Sequence, residues 1–182
     1  MPVPELTLPT PEYRPSFVEA MAELAAEGRG GPSDTSGTGA ELRQWYSRWQ
    51  TPEGFAEYVA GLRADERDGT PRPEGRVPCT TWWWVDGRSW LGRIAVRHRL
   101  TPALLALGGH IGYHVRPSAR RRGHATAMLH AVLPHAVALG IDQILVTCDV
   151  DNAPSRRVIE ANGGRLAEER AGKLRYWIDL AP

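Results

Sequence analysis

Apolar residues fall into two recognisable rhythms along this chain. Phe17, Ala20, Met21, Leu24 and Ala25 share one helical face, so the spacing predicts a first amphipathic helix over residues 11–27. The stretch 28–39, rich in Gly and Ser, reads as a flexible loop too short to separate domains. Helical spacing returns over 40–67, interrupted near Thr51-Pro52, and carries Trp45, Tyr46, Trp49, Phe55 and Tyr58. A Pro/Gly-rich loop is expected over 68–78.

The rhythm then changes to strands. Residues 79–85 and 88–97 predict a hairpin turned at Asp86-Gly87. On such a strand Trp82 and Trp84 face one side and Trp83 the other. Residues 100–107 read as a connecting loop or short helical turn, and His110 to Val115 as the next strand. Ala125, Met128, Leu129, Val132, Leu133 and Ala136 form one apolar stripe, predicting a helix that ends at Gly140 and kinks at Pro134. The run Gln143 to Cys148 reads as a strand buried on both faces. Asn152 or Asp151 can cap a short helix that Gly163-Gly164 stops, and two strands turned at Ala171-Gly172 close the chain. The order (two helices, an antiparallel meander, then β-α-β-α-β-β) predicts an α/β sandwich around a mixed, mostly antiparallel sheet.

Composition narrows the class of protein. At 182 residues the chain is expected to form one domain, 1–182, with a core that needs no staples. A formal net charge of +1 gives it no general attraction to nucleic acid or membrane, so neither is expected as a partner. Cys79 and Cys148 show no metal spacing and no nucleophile motif, and the histidines form no zinc pattern, so no metal is expected. With no membrane-length apolar run and no apolar leader in the Pro-rich start, a cytoplasmic protein is expected.

Candidate chemistry concentrates in Gly112-Tyr-His-Val-Arg-Pro-Ser-Ala-Arg-Arg-Arg-Gly-His-Ala-Thr-Ala-Met-Leu129. A strand feeds four arginines and a glycine, and a helix opens immediately afterwards. A helix start offers unpaired N–H groups and the positive end of its dipole, and Gly123 removes the Cβ that would keep a ligand away. The residues therefore read as a cradle for a diphosphate.

This segment resembles the acetyl-CoA-binding core of the GNAT superfamily of acyl-CoA-dependent N-acyltransferases. The family signature Gln/Arg-x-x-Gly-x-Gly/Ala is matched by Arg120-Arg121-Arg122-Gly123-His124-Ala125, after a strand ending at Val115-Arg116-Pro117. Asn152-Ala-Pro-Ser155 supplies a second matching feature, and the resemblance covers about residues 94–180. It implies the GNAT-like fold with a splayed central strand pair, and acetyl-CoA as co-substrate. It also implies that the backbone of Tyr113, His114 and Val115 faces pantetheine and acetyl group. The N–H groups of Arg121, Arg122, Gly123, His124, Ala125 and Thr126 would face the diphosphate, beside Arg120, with Asn152 and Ser155 on the pantetheine. The first helices, 11–67, would form part of the acceptor side, where Trp45, Tyr46 and Trp49 either line an amine pocket or simply pack helix on sheet. The acceptor would be a small-molecule or peptide amine, and a homodimer is common in the family.

One departure from the family stands out. The tyrosine that in many members protonates the leaving thiolate is replaced by Ile159. Tyr113, Tyr176 and Ser155 supply alternative hydroxyls. For a base, His110 is either a proton acceptor or a structural histidine fixing the turn at Gly108-Gly109, and Asp149 either a base or a carboxylate at the next helix start. The expected activity is direct attack of an amine on acetyl-CoA in a ternary complex. The alternative is a CoA-binding sensor or scaffold with little or no catalysis.

Overall fold

In the computed structural model, which describes residues 3–180, a short strand β1 (Glu5–Thr7) precedes a 3-10 turn at Pro11–Tyr13 and helix α1 (Arg14–Ala26). Helices α2 (Gly37–Trp45) and α3 (Pro52–Ala64) follow, separated by a 3-10 turn at Arg48–Gln50. Both are capped by side chains. Ser36 Oγ accepts from the Gly39 N–H at 3.0 Å, and Thr51 Oγ1 from the Gly54 N–H at 3.1 Å. The expected break at Thr51-Pro52 is thus a helix start, while α2 begins inside the stretch that reads as loop, because Ser36 caps it. A Cβ on Gly54 would lie 2.2 Å from the Arg48 carbonyl, so α3 presses directly on the preceding turn.

Strands β2 (Cys79–Asp86) and β3 (Ser89–Arg97) form the predicted hairpin, moved by one residue: Asp86 still pairs with Ser89, and Gly87 (φ +55) and Arg88 make the turn. A π-type turn at Leu104–Gly108 leads to β4 (Ile111–Val115). A 3-10 turn at Pro117–Ala119, helix α4 (His124–Ala138), β5 (Gln143–Asp149), α5 (Ala153–Ala161), β6 (Arg165–Arg170) and β7 (Lys173–Asp179) complete the order. α4 runs through Pro134 without a break.

The strands form two sheets, β1-β2-β3-β4 and β5-β7-β6, in which every pair is antiparallel. β1 is unmarked in the Pro-rich start of the sequence, because an edge strand this short carries no alternation of its own. The first sheet has a core on each face. Trp82 and Trp84 pack with Ile94, Val96, Ile111 and the α4 stripe of Met128, Leu129, Val132 and Ala136. Trp83 packs on the other face with Phe17, Trp49, Phe55 and Tyr58. A bulge between Trp84 and Val85 also turns Trp90 onto that second face. Phe17 is its centre, with ring centroids of Trp49, Phe55, Trp83 and Trp90 at 5.0, 5.2, 5.5 and 5.2 Å. Burying each large side chain contributes about 1.5–3 kcal/mol.

The two sheets touch where β4 begins. The His110 N–H donates to the Leu145 carbonyl at 2.7 Å, and the Leu145 N–H donates to His110 Nδ1 at 3.0 Å. Gly109 holds φ +64 there, and a Cβ would lie 2.5 Å from the Leu145 carbonyl, so the close approach requires glycine. Beyond this stitch β4 pairs only with β3, and β5 only with β7, among the described residues. The strand pair therefore splays, and the gap opens toward the ends of β4 and β5. No helix among the described residues is long and apolar enough to cross a membrane.

Candidate active site

Past β4 the chain is held by α1. Glu23 accepts from Arg116 Nε at 3.1 Å, from the Ser118 N–H at 2.9 Å and from Ser118 Oγ at 2.9 Å. Burial pushes the Glu23 carboxyl up, but the hydrogen bonds from Arg116 and Ser118 outweigh it and hold the carboxyl below its ordinary range. Arg120 reaches Glu27 at 2.9 Å and the Val115 carbonyl at 3.2 Å. Arg116 and Arg120 are thus occupied in fixing the loop. Two of the four arginines that look like phosphate ligands in the sequence are braces.

That bracing aims the main chain. Arg121 (φ +63) and Gly123 (φ +82) adopt left-handed backbone, and α4 starts directly afterwards. The N–H groups of Arg121 through Thr126 find no acceptor among the described residues; the first to do so is Ala127, bonded to the Gly123 carbonyl at 3.0 Å. A Cβ on Gly123 would meet no protein atom within 4 Å, so only the left-handed backbone and whatever approaches from outside require glycine there. Successive free amides at a helix start with no side chain in front suit a diphosphate.

Arg121 and Gly123 through Thr126 border a cavity of about 710 Å³, also lined by Tyr113, His114, Val115, Asn152, Ser155 and Val158. Bonds from Arg97 N–H to His110 carbonyl and from Arg116 N–H to Leu91 carbonyl fix the phase of the β3–β4 ladder. By the alternation of an antiparallel pair, Gly112 and His114 turn their main-chain groups to β3, whereas Tyr113 and Val115 turn theirs into the gap. By this alternation the His114 amide faces the ladder rather than the gap, and its side chain reaches Thr38 Oγ1 at 3.2 Å through Nδ1. Burial, with Arg93, Arg29 and Arg120 nearby, drives the His114 pKa well below the usual histidine value, so the ring is neutral.

Across the gap, Tyr113 Oη and Ser155 Oγ are 2.6 Å apart. Burial raises the tyrosine pKa to about 12, so its proton stays in place at neutral pH. Asn152 Oδ1 caps α5 by accepting the Ser155 N–H at 3.1 Å, which turns Ser155 toward Tyr113. Asn162 ties α5 to the start of α4 by donating to the Thr126 carbonyl at 3.2 Å. Its place after a helix and before two glycines marks it in the sequence only as a stop. Ile159 is fully buried in the core and does not border the cavity, and Tyr176 turns to Glu160 at 3.2 Å.

Other candidates lie elsewhere. The His110 ring accepts the Leu145 amide, and burial together with Arg97 lowers its pKa to about 4. It is a structural stitch, outside the cavity lining. Asp149 pairs with Lys173 at 2.5 Å at the far end of β5. His124 borders the cavity, and its Nδ1 accepts from Trp84 Nε1 at 3.2 Å. Arg122 lies outside the lining.

A second cavity of about 600 Å³ lies over β2 and β3 on the α2–α3 side. Trp45 borders it, beside Glu41, Tyr58, Arg93 and Arg97. Trp49 does not: it is fully buried among Phe17 and Tyr58, and so belongs to the core. Tyr46 is exposed outside the lining. The register pairs Arg93 with His114, so His114 stands between the two cavities.

The acetyltransferase (GNAT) domain family matches residues 13–165. No curated protein matches the chain by sequence. Among solved structures, RimJ of Mycobacterium smegmatis in complex with CoA-disulfide is 20% identical, with a TM-score of 0.68 over 98% of this chain and 82% of that one. RimL, a ribosomal L7/L12 alpha-N-protein acetyltransferase in complex with coenzyme A, is 18% identical, with a TM-score of 0.63 over 97% and 93%. The microcin C7 self-immunity acetyltransferase MccE, in complex with acetyl-CoA and AMP, is 14% identical, with a TM-score of 0.63 over 97% and 92%. At these identities the likeness is one of fold, and it agrees with the family match over most of the chain. The protein belongs to the GNAT family of acyl-CoA-dependent N-acetyltransferases.

Proposed function

We propose that this enzyme transfers an acetyl group from acetyl-CoA to a primary amine within one ternary complex. The observation that carries the reading is the run of acceptor-less amides from Arg121 to Thr126, which, Arg122 apart, borders the same cavity as the Tyr113–Ser155 hydroxyl pair. The structures of RimJ, RimL and MccE hold CoA or acetyl-CoA, which supports the same ligand here. The alpha-N-protein acetyltransferase RimL supports a peptide amine among the acceptors, beside small amines.

The chain's own residues divide the work. Amides of Arg121 through Thr126 hold the diphosphate, and Arg121 adds side-chain charge at the cavity edge. The outward main-chain groups of Tyr113 and Val115 orient the extended arm as an added strand would be held. Acetyl-CoA supplies an acyl carbon already activated as a thioester. As the new C–N bond forms and the C–S bond breaks, the amine gives up a proton to water. The Tyr113–Ser155 pair, standing in place of the missing tyrosine, donates one to the departing sulfur and is reprotonated from water. A positioned acid of this kind contributes about 10²–10⁴-fold in rate. His114, neutral and bonded to Thr38, forms the wall past which the amine arrives.

The deciding experiment is release of free thiol from acetyl-CoA across a panel of amines and peptide N-termini, run beside the melting temperature with acetyl-CoA. A rise in Tm with thiol release is expected. No shift and no thiol would overturn the reading.

A further inference from the structure

The second cavity carries an unbalanced charge. Its walls hold Glu41 and Asp65 against Arg72, Arg76, Arg93 and Arg97. Two of these arginines are matched: Arg93 bonds Glu41 at 2.8 Å and Tyr58 at 3.1 Å, and Arg72 bonds Asp65 at 3.3 Å. Arg76 and Arg97 have no carboxylate partner among the described residues. Arg97 is the more telling of the two, because it is half-buried and held in place. Its Nη1 donates to the carbonyls of Gly108 and Gly109 at 3.3 and 3.0 Å, which leaves Nη2 and Nε free of acceptors among the described residues. Nη2 lies 3.9 Å from where a Cβ on Gly112 would stand, so the free edge of the guanidinium lies over bare β4 main chain. Burial, with Arg76 and Arg93 adding to it, opposes the Arg97 charge, a cost that an incoming anion would relieve.

We infer that the acceptor is an amine that also carries an acidic group, a carboxylate or phosphate, which Arg97 binds in the cavity over β2 and β3. This rests on the proposed transfer reaction for the position of the amine, beside His114. Gly112 and His114 are two strand residues apart, which sets the acid and the amine roughly 7 Å or more apart. A small amino acid with a spaced amine and a peptide whose first residues include an acid share this chemistry. Neutral Trp45 and Tyr58 on the same walls leave room for an apolar spacer between the two groups.

The test compares acid and amide pairs on the unaltered enzyme: 4-aminobutyrate against its amide for the small-molecule source, and Ser-Asp against Ser-Asn, both with amidated C-termini, for the peptide source. The acidic member of at least one pair is expected to show about tenfold higher kcat/KM, since a charge-assisted hydrogen bond is lost in the amide. The pair that responds identifies the source. Thermal shift with the same acidic compounds, without acetyl-CoA, gives a binding readout independent of turnover. Arg97→Gln should remove both the preference and the shift while leaving the shift caused by acetyl-CoA in place, and Arg97→Lys should retain part of the preference. If Arg97→Gln folds poorly, Arg97→Lys and the acid–amide pairs on the unaltered enzyme still decide. Acetylation of amines with no preference for the acid, and no shift from it, overturns this inference alone. Absence of both an acetyl-CoA shift and thiol release overturns the transfer reading instead, and the acid-induced shift then decides this one by itself.

Discussion

The cavity under the Arg116–Thr126 loop and the cavity over β2 and β3 are made of different material. The first combines main chain from one continuous stretch, at the start of α4 and along the open edge of β4, with side chains brought in from elsewhere, such as Arg29, Asn152 and Ser155. The second takes its polar surface from side chains on α2, α3, the loop before β2, and β3. A main-chain site recognises what every ligand of the class shares, such as a diphosphate or an extended arm. A side-chain site can be re-specified one residue at a time without disturbing the fold. On the proposed reading, binding of the common co-substrate and choice of acceptor fall on opposite sides of β4, with His114 between them.

The largest expected effect tests where the acceptor side ends and the core begins. Trp49→Ala should cost about 3–5 kcal/mol of stability by thermal or denaturant unfolding, because a fully buried aromatic leaves a cavity. Trp45→Ala, at the cavity wall, should cost less and act instead on acceptor KM. Equal losses in the two variants would erase the boundary drawn between core and acceptor wall.

Next comes the main-chain cradle. Gly123→Asp should weaken acetyl-CoA binding by about 100-fold in calorimetry, since it strains a left-handed position and sets a negative charge before the amides. The protein itself should stay folded, because the added atoms meet nothing within the chain. An undiminished titration would mean that the amides serve some other purpose.

The hydroxyl pair should give a smaller, purely kinetic effect. Tyr113→Phe and Ser155→Ala should each lower kcat by about 10–100-fold with acetyl-CoA affinity held within a few fold. A loss confined to KM would reassign the pair to binding. Ser155→Ala also leaves the α5 cap intact, because that bond uses the Ser155 main chain.

The smallest effect concerns His110. Its folded pKa of about 4 lies below the ordinary value near 6.5, so the unfolded chain binds the extra proton first as pH falls. The stability that the neutral ring contributes is complete above pH 6.5 and declines as pH drops from about 6.5 to about 4. Burial lowers the pKa of His114 and His98 in the same direction, so His110→Asn should flatten only part of the slope of Tm against pH. The pH–rate profile near neutrality should be unaffected by that variant once stability is matched. A flattened rate profile would restore His110 as a proton acceptor.

Much of this was legible along the chain because the signals are local. The apolar stripe of α4, the alternation of Trp82, Trp83 and Trp84, the Asn152 cap and the glycine before α4 each depend on residues within a few positions of one another. The family signature is local for the same reason: a diphosphate is gripped by consecutive amides. What periodicity could not show was the fate of side chains with distant partners. The arginines at 116 and 120 look identical to 121 and 122 in the sequence, yet Glu23 and Glu27, more than ninety residues away, convert them into braces. Trp45 and Trp49 sit on neighbouring turns, and only the packing of Phe17 separates a wall residue from a core residue.

The sequence by itself determined the order of helices and strands from α1 onward, the two-faced tryptophan strand and the strand–glycine–helix junction at Gly123, since helical and strand periods and helix starts are properties of contiguous chain. Tertiary structure decided that the strands divide into two sheets stitched at His110 and Leu145, that Ser155 meets Tyr113 across the gap, and that Arg97 is left without a carboxylate among the described residues. Each of those outcomes depends on which distant groups come within hydrogen-bonding distance, and that is set by how the layers pack.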